Sequence, residues 1–298
     1  MDSAIKSRIK NQIFKFEVKV DSAKGNDSAF TLDYESTDES LSRYRQDELA
    51  GLIRDVVPYF ALTDDEIRSI DKSDWNKQSF TRISDANRNS KGDYGELLLF
   101  VLLSQFYDIP KFVTKARLRS TTKEQVKGFD CAHFSVEAGS VTLWLGEAKF
   151  HKTISSAISS SFKSLNDHLN SSEKIKSELK LLGGEIEINR TLDKTTYDIL
   201  KEYVSGGKSL DKIEIAVPVL LTYDSKCIGS YAVKEGADIE DEAFCIEMKE
   251  ELENHFSTIH KKSWPSKKNI KITFFVVPFD SVSSLKEKIE QIEIAMKF

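Results

Sequence analysis

The sequence predicts an α/β fold with helices flanking a mixed β-sheet, and three observations carry that expectation. Residues 213–223 and Ile270–Phe279 are almost continuously apolar over strand length, as strands buried on both faces are. Residues 129–136 and 141–145 form two apolar and aromatic runs separated by Ala138-Gly139, the pattern of a β-hairpin. Between and around these runs, residues 154–169, 195–204, 239–262 and 282–296 are helical in pattern, most clearly 154–169, where Ile154, Ala157, Ile158, Phe162, Leu165 and Leu169 recur at helical spacing. Strands alternating with helices imply a layered α/β sandwich.

The chain has 298 residues, 40% of them hydrophobic, enough for a large core in one elaborate domain or two. A formal net charge of −5 argues against a general nucleic-acid coat protein, so binding to nucleic acid requires a local patch. Cys131, Cys227 and Cys245 are scattered without a CxxC pair, which fits a reducing compartment and neither a disulfide framework nor a zinc site. The five histidines show no metal-ligand spacing. The first residues lack an apolar signal region and no run reaches membrane-spanning length, so a cytoplasmic protein without membrane contact is expected.

Taken in order, residues 1–83 read as an N-terminal α+β extension or docking region, and residues 84–298 as the main domain with a C-terminal α/β elaboration. Ile13, Phe14, Phe16, Val18 and Val20 suggest a strand, residues 29–34 its partner, and residues 41–60 a helix. Thr63-Asp64-Asp65-Glu66 has the form of a capping box. A helix is expected over about 89–107, apolar on every side from Leu97 to Leu103, with Gly92 and Gly95 allowing close approach to a neighbouring backbone. Asp93 and Glu96 lie in its first turn, where they complement the helix dipole or, for Glu96 above all, reach a site.

Residues 111–127 hold Lys111, Lys115, Arg117, Arg119, Lys123 and Lys127 against the single acid Glu124. Phosphate binding is the functional reading of this window; an edge strand protected by charge is the structural one. After the hairpin, His151, Lys152 and Lys163 are within reach of a phosphate or are solvated helix-face residues. Residues 172–182 read as a further helix, and the acid-rich region 239–254 as a solvated face or a docking surface.

The hairpin carries the chemistry. With its turn centred at Ala138-Gly139, position i faces position 277 − i, which sets Asp130 opposite Glu147. Lys149, two residues along, shares the face of Glu147 at about 7 Å. Two acids and a lysine packed together would destabilise the sheet unless a divalent cation sits between the carboxylates. Lys149 would then hold a substrate oxygen or orient an attacking water. The alternative is an exposed cross-strand ion-pair ladder.

Asp130, sixteen residues, then Glu147-Ala148-Lys149 resembles the PD-(D/E)xK nuclease motif. With the preceding acid-bearing helix and the following small-residue helix and strand, the element order resembles a restriction-endonuclease-like core. More narrowly, KGDYGELLLF, GFDCAHF and LWLGEAKF resemble the signature stretches of the HamA family of Hachiman anti-phage defence. The resemblance implies a DNA nuclease dependent on Mg²⁺, with Mn²⁺ as the alternative ion, checked by a HamB-like superfamily 2 helicase that senses foreign or damaged DNA. It carries catalytic and metal roles to Asp130, Glu147 and Lys149, with Glu96 as a further acid. Lys115, Arg117, Arg119, Lys127 and Lys163 would contact DNA. A catalytically silent regulatory or DNA-binding subunit and an RNA-directed nuclease are the competing expectations.

Overall fold

The structure, a computed structural model, describes residues 1–16, 18, 27–36, 42–83, 93–107, 109, 113–114, 129–137, 140–170, 175, 194–205, 213–232 and 234–297. Its strands are β1 (Phe14–Phe16), β2 (Ser28–Thr31), β3 (Tyr34–Ser36), β4 (Ser42–Tyr44), β5 (Val113–Thr114), β6 (Cys131–Glu137), β7 (Ser140–Lys149), β8 (Glu214–Asp224) and β9 (Ile270–Phe279). Its α-helices are α1 (Ser3–Gln12), α2 (Gln46–Ala61), α3 (Asp64–Ser69), α4 (Trp75–Phe80), α5 (Asp93–Phe106), α6 (Ile154–Leu169), α7 (Lys194–Val204), α8 (Lys226–Tyr231), α9 (Glu242–His260) and α10 (Val282–Lys297).

Seven strands form one mixed sheet in the order β1-β2-β9-β8-β7-β6-β5, and β3 and β4 form a separate pair. The four central strands β2, β9, β8 and β7 run parallel; the outer pairings are antiparallel. Parallel neighbours need crossovers, which α6 and α9 help to supply. β8 is buried from Ile215 to Tyr223, the outcome its unbroken apolar run demands.

Strand alternation defines the layers. Gly95 of α5 lies against Ala148 and Phe150, so that helix covers the face to which even-numbered residues of β7 point. Ser164 of α6 lies beside Glu147, on the opposite face. On β9, Phe275 meets Tyr107 and Phe30 on the α5 side, whereas Phe274 meets Trp264 on the α6 side. Helices therefore cover both faces of the sheet.

The N-terminal region does not stand apart from the rest. β2 pairs with β9, and α2 packs against both α5 and α10. The expected helix over 41–60 begins only at Gln46 as α2, and Ser42–Tyr44 form β4 instead; residue 41 lies outside the described residues. The buried Tyr44 hydroxyl accepts the Leu32 N–H at 2.8 Å, a tertiary bond that favours the extended form. α1 went unread because its apolar face is narrow; only Ile9 of the helix is buried. The capping box at α3 is present: Glu66 N–H donates to the Thr63 hydroxyl at 3.1 Å and Thr63 N–H to the Glu66 carboxylate at 2.8 Å.

α5 packs on β7 through small residues. A Cβ on Gly146 would fall 2.4 Å from Cys131 Sγ and 2.8 Å from Leu99 Cδ2, whereas one on Gly95 would stand 3.3 Å from the Cβ atoms of Ala148 and Phe150. Gly146→Ala should therefore destabilise the protein by about 2 kcal/mol in urea unfolding, a typical cost of overpacking. Gly95→Ala should cost less, because added helix propensity offsets part of the milder contact. A Gly146→Ala variant as stable as the wild type would contradict this packing.

Candidate active site

β6 and β7 pair with Cys131 opposite Gly146 and Glu137 opposite Ser140, so every paired position sums to 277. The expected register is the observed one; the turn residues Ala138 and Gly139 lie outside the described residues. Asp130 stands just before β6. Its N–H donates to the Gly146 carbonyl at 2.9 Å, and its side-chain Oδ2 accepts the Ala148 N–H at 2.7 Å. A longer β6 would have satisfied that N–H with a backbone carbonyl; the carboxylate does so instead, and is thereby fixed beside Glu147.

Glu147 is 1% exposed. Its Oε1 is paired with the Lys149 ammonium, whereas its buried Oε2 has no hydrogen-bond partner among the described residues. Burial, and then the negative charge of Asp130, push the Glu147 carboxyl from 4.5 up to about 7, against smaller opposing effects of Lys149 and the Ser164 hydroxyl. Lys149 supplies one positive charge against the two carboxylates of Asp130 and Glu147, so the cluster remains net negative. A divalent cation between Asp130 and Glu147 would balance the remaining charge, and their hard oxygen donors suit Mg²⁺.

The third acid is placed differently. Glu96 and Asp93 are buried in the first turn of α5, the position favoured by the helix dipole. That helix lies over the face of β7 opposite Glu147. Among the described residues, no three His, Cys, Asp or Glu side chains lie close enough to hold one ion, so Glu96, Asp130 and Glu147 do not form a ready three-carboxylate cage. Lys163 is exposed on α6, roughly 14 Å along the axis from the start of the helix. Lys115, Arg117, Arg119 and Lys127 lie outside the described residues.

Two contributors escaped the sequence reading. Ser164 reaches Glu147 from within α6, and Lys286 of α10 donates to the Phe150 carbonyl at 2.8 Å. Lys286 is separated from the hairpin by 136 residues, so no local pattern announces it.

The fold and site together define an α/β protein with a mixed sheet flanked by helices, a carboxylate pair and a lysine at the end of a central hairpin. The HamA family model matches residues 7–292, nearly the whole chain, and the chain belongs to that family. Membership gives it a role in Hachiman antiviral defence. No curated protein matches the chain. Among the described residues no helix is long and apolar enough to cross a membrane.

Burial of Glu147 has a pH signature. The unfolded carboxyl ionises near 4.5 and the native one only near 7, so metal-free protein should lose stability as pH rises between these values. Glu147→Gln should remove that loss and raise the metal-free melting temperature at neutral pH. Thermal unfolding across pH, with chelator present, checks this; identical pH dependence in both proteins would contradict it.

Proposed function

We propose that this chain is a divalent-metal-dependent nuclease that hydrolyses DNA phosphodiesters, and that it is the effector of a complex with a HamB-like helicase. The observation that carries the reading is the buried Glu147 oxygen without a hydrogen-bond partner beside the Asp130 carboxylate, with Lys149 on the same face. The match of Asp130, Glu147 and Lys149 to the PD-(D/E)xK motif, and of the helix–hairpin–helix–strand order to a restriction-endonuclease-like core, supports it further.

Asp130 and Glu147 would hold Mg²⁺, or Mn²⁺ in its place. The bound ion supplies a water of lowered pKa and charge stabilisation at the phosphate. Asp130 is fixed for this task by its bond to the Ala148 N–H, and Glu147 by burial under α6. Lys149 presents its ammonium beside the carboxylates, where it stabilises negative charge on a phosphate oxygen or orients the attacking water. Glu96, carried on α5, enters this reading as a further acid.

A catalytically silent regulatory subunit is the second reading. The closed Glu147–Lys149 pair favours it, since that pair occupies one carboxylate oxygen and the lysine together.

Purified protein is incubated with supercoiled DNA, linear DNA and RNA, with Mg²⁺ or chelator, alone and with its helicase partner. DNA should be cut only with metal, and Glu147→Gln and Lys149→Ala should each lower the rate by about a hundredfold or more. Undiminished cutting by both variants moves the site elsewhere. DNA binding without cutting under every condition favours the regulatory reading, and preferential RNA cleavage changes the substrate.

A further inference from the structure

We propose that a second backbone phosphate of the bound DNA docks on a cationic corner at the C-terminal end of β7, formed by Lys152 and Lys286 beside Lys149, with the neutral His151 imidazole as a hydrogen-bonding neighbour. This deepens the nuclease reading and rests on it for the identity of the ligand.

The corner joins two distant parts of the chain. Lys286 reaches from α10 to donate to the Phe150 carbonyl at 2.8 Å, with its ammonium 5.2 Å from the centroid of the Phe150 ring. The segment beneath it is held by its backbone: the Thr222 hydroxyl donates to the His151 carbonyl at 3.1 Å, and the Asp224 N–H to the Lys152 carbonyl at 2.8 Å. The cations therefore stand on a braced platform beyond the sheet.

The Asp224 carboxylate close by is taken up by the Val282 N–H at 2.7 Å. Among the described residues, His151, Lys152 and Lys286 form no ion pair, although the chain has 48 acidic against 43 basic residues. Lys149, the exception, is paired with Glu147. Repulsion within the group is felt: Lys286 is pushed below its usual range by burial and then by Lys152, and His151 by burial and then by Lys286 and Lys149. A purely structural role explains the Lys286 bond to Phe150, but it leaves the neighbouring His151 and exposed Lys152 without an account.

The adjoining start of α6 adds to the positive potential. Thr153 caps this helix of 16 residues, and Ser155 and Ser156 at its first turn are exposed. From Lys149 to Lys152 the chain covers roughly 10 Å at most if extended. A phosphate on the corner thus belongs to the same stretch of DNA as one at Asp130 and Glu147.

The test measures binding of a short fluorescent DNA duplex by the full chain at several salt concentrations, with chelator present so that cutting does not interfere. Lys152→Ala removes an exposed cation, and Lys286→Met keeps the stem over Phe150. Each should flatten the slope of log affinity against log salt by about 0.9, and the double variant by close to twice that. Lys286→Arg should restore the slope, and Lys288→Ala, which removes a lysine paired with Asp47 on the same helix, should leave it unchanged. Wild-type slopes in both Lys152→Ala and Lys286→Met, or failure of the wild type to bind the duplex, would overturn the proposal. Unchanged slopes with intact Mg²⁺-dependent cutting would remove the corner alone. Flattened slopes without cutting would uphold the corner and reject the catalytic reading.

Discussion

Burial of the Glu147 carboxylate is the constraint around which the rest of the site is arranged. A charge excluded from water is costly unless partners replace its hydration. Lys149 satisfies one oxygen, and Ser164 contributes from α6, but Asp130 adds a second negative charge rather than relieving the first. The polypeptide holds this unfavourable pair by ordinary backbone chemistry. β6 begins only at Cys131, and the Asp130 side chain takes the N–H that a longer strand would have paired. A structural salt bridge does not require a second carboxylate in this place; a cation site does.

The topology gives this strain a rigid support. β7 is paired with antiparallel β6 up to Gly146 and with parallel β8 up to Lys149, so its C-terminal end is held by β8 and by the bond from the Ala148 N–H to Asp130. Gly146 and Gly95 let α5 approach one face, while α6 closes over the other. Ligands of open α/β sheets gather beyond the carboxyl ends of parallel strands. Glu147, Lys149 and the cationic corner are at that end of β7, and the β8 terminus anchors the connection that follows.

The hairpin was legible because its information is local. Two apolar runs, a small-residue break and strand alternation are enough to set Asp130 opposite Glu147. α6 and β9 were equally plain, one from helical spacing and the other from an unbroken apolar run. β4 was read as helix because its decisive interaction, Tyr44 with Leu32, is tertiary. The side of the sheet covered by α5 was hidden for the same reason. Lys286 could not be read at all, since only the folding of α10 brings it to Phe150.

Divalent-ion binding tests the central claim most directly, because it reports the carboxylate pair without requiring substrate, partner or turnover. Mn²⁺ titration followed by electron paramagnetic resonance would compare the wild type with Asp130→Asn, which keeps an acceptor for the Ala148 N–H, and with Glu147→Gln. The account predicts one bound ion per wild-type chain and loss of that ion in both folded variants. Equal Mn²⁺ binding by all three proteins would contradict it.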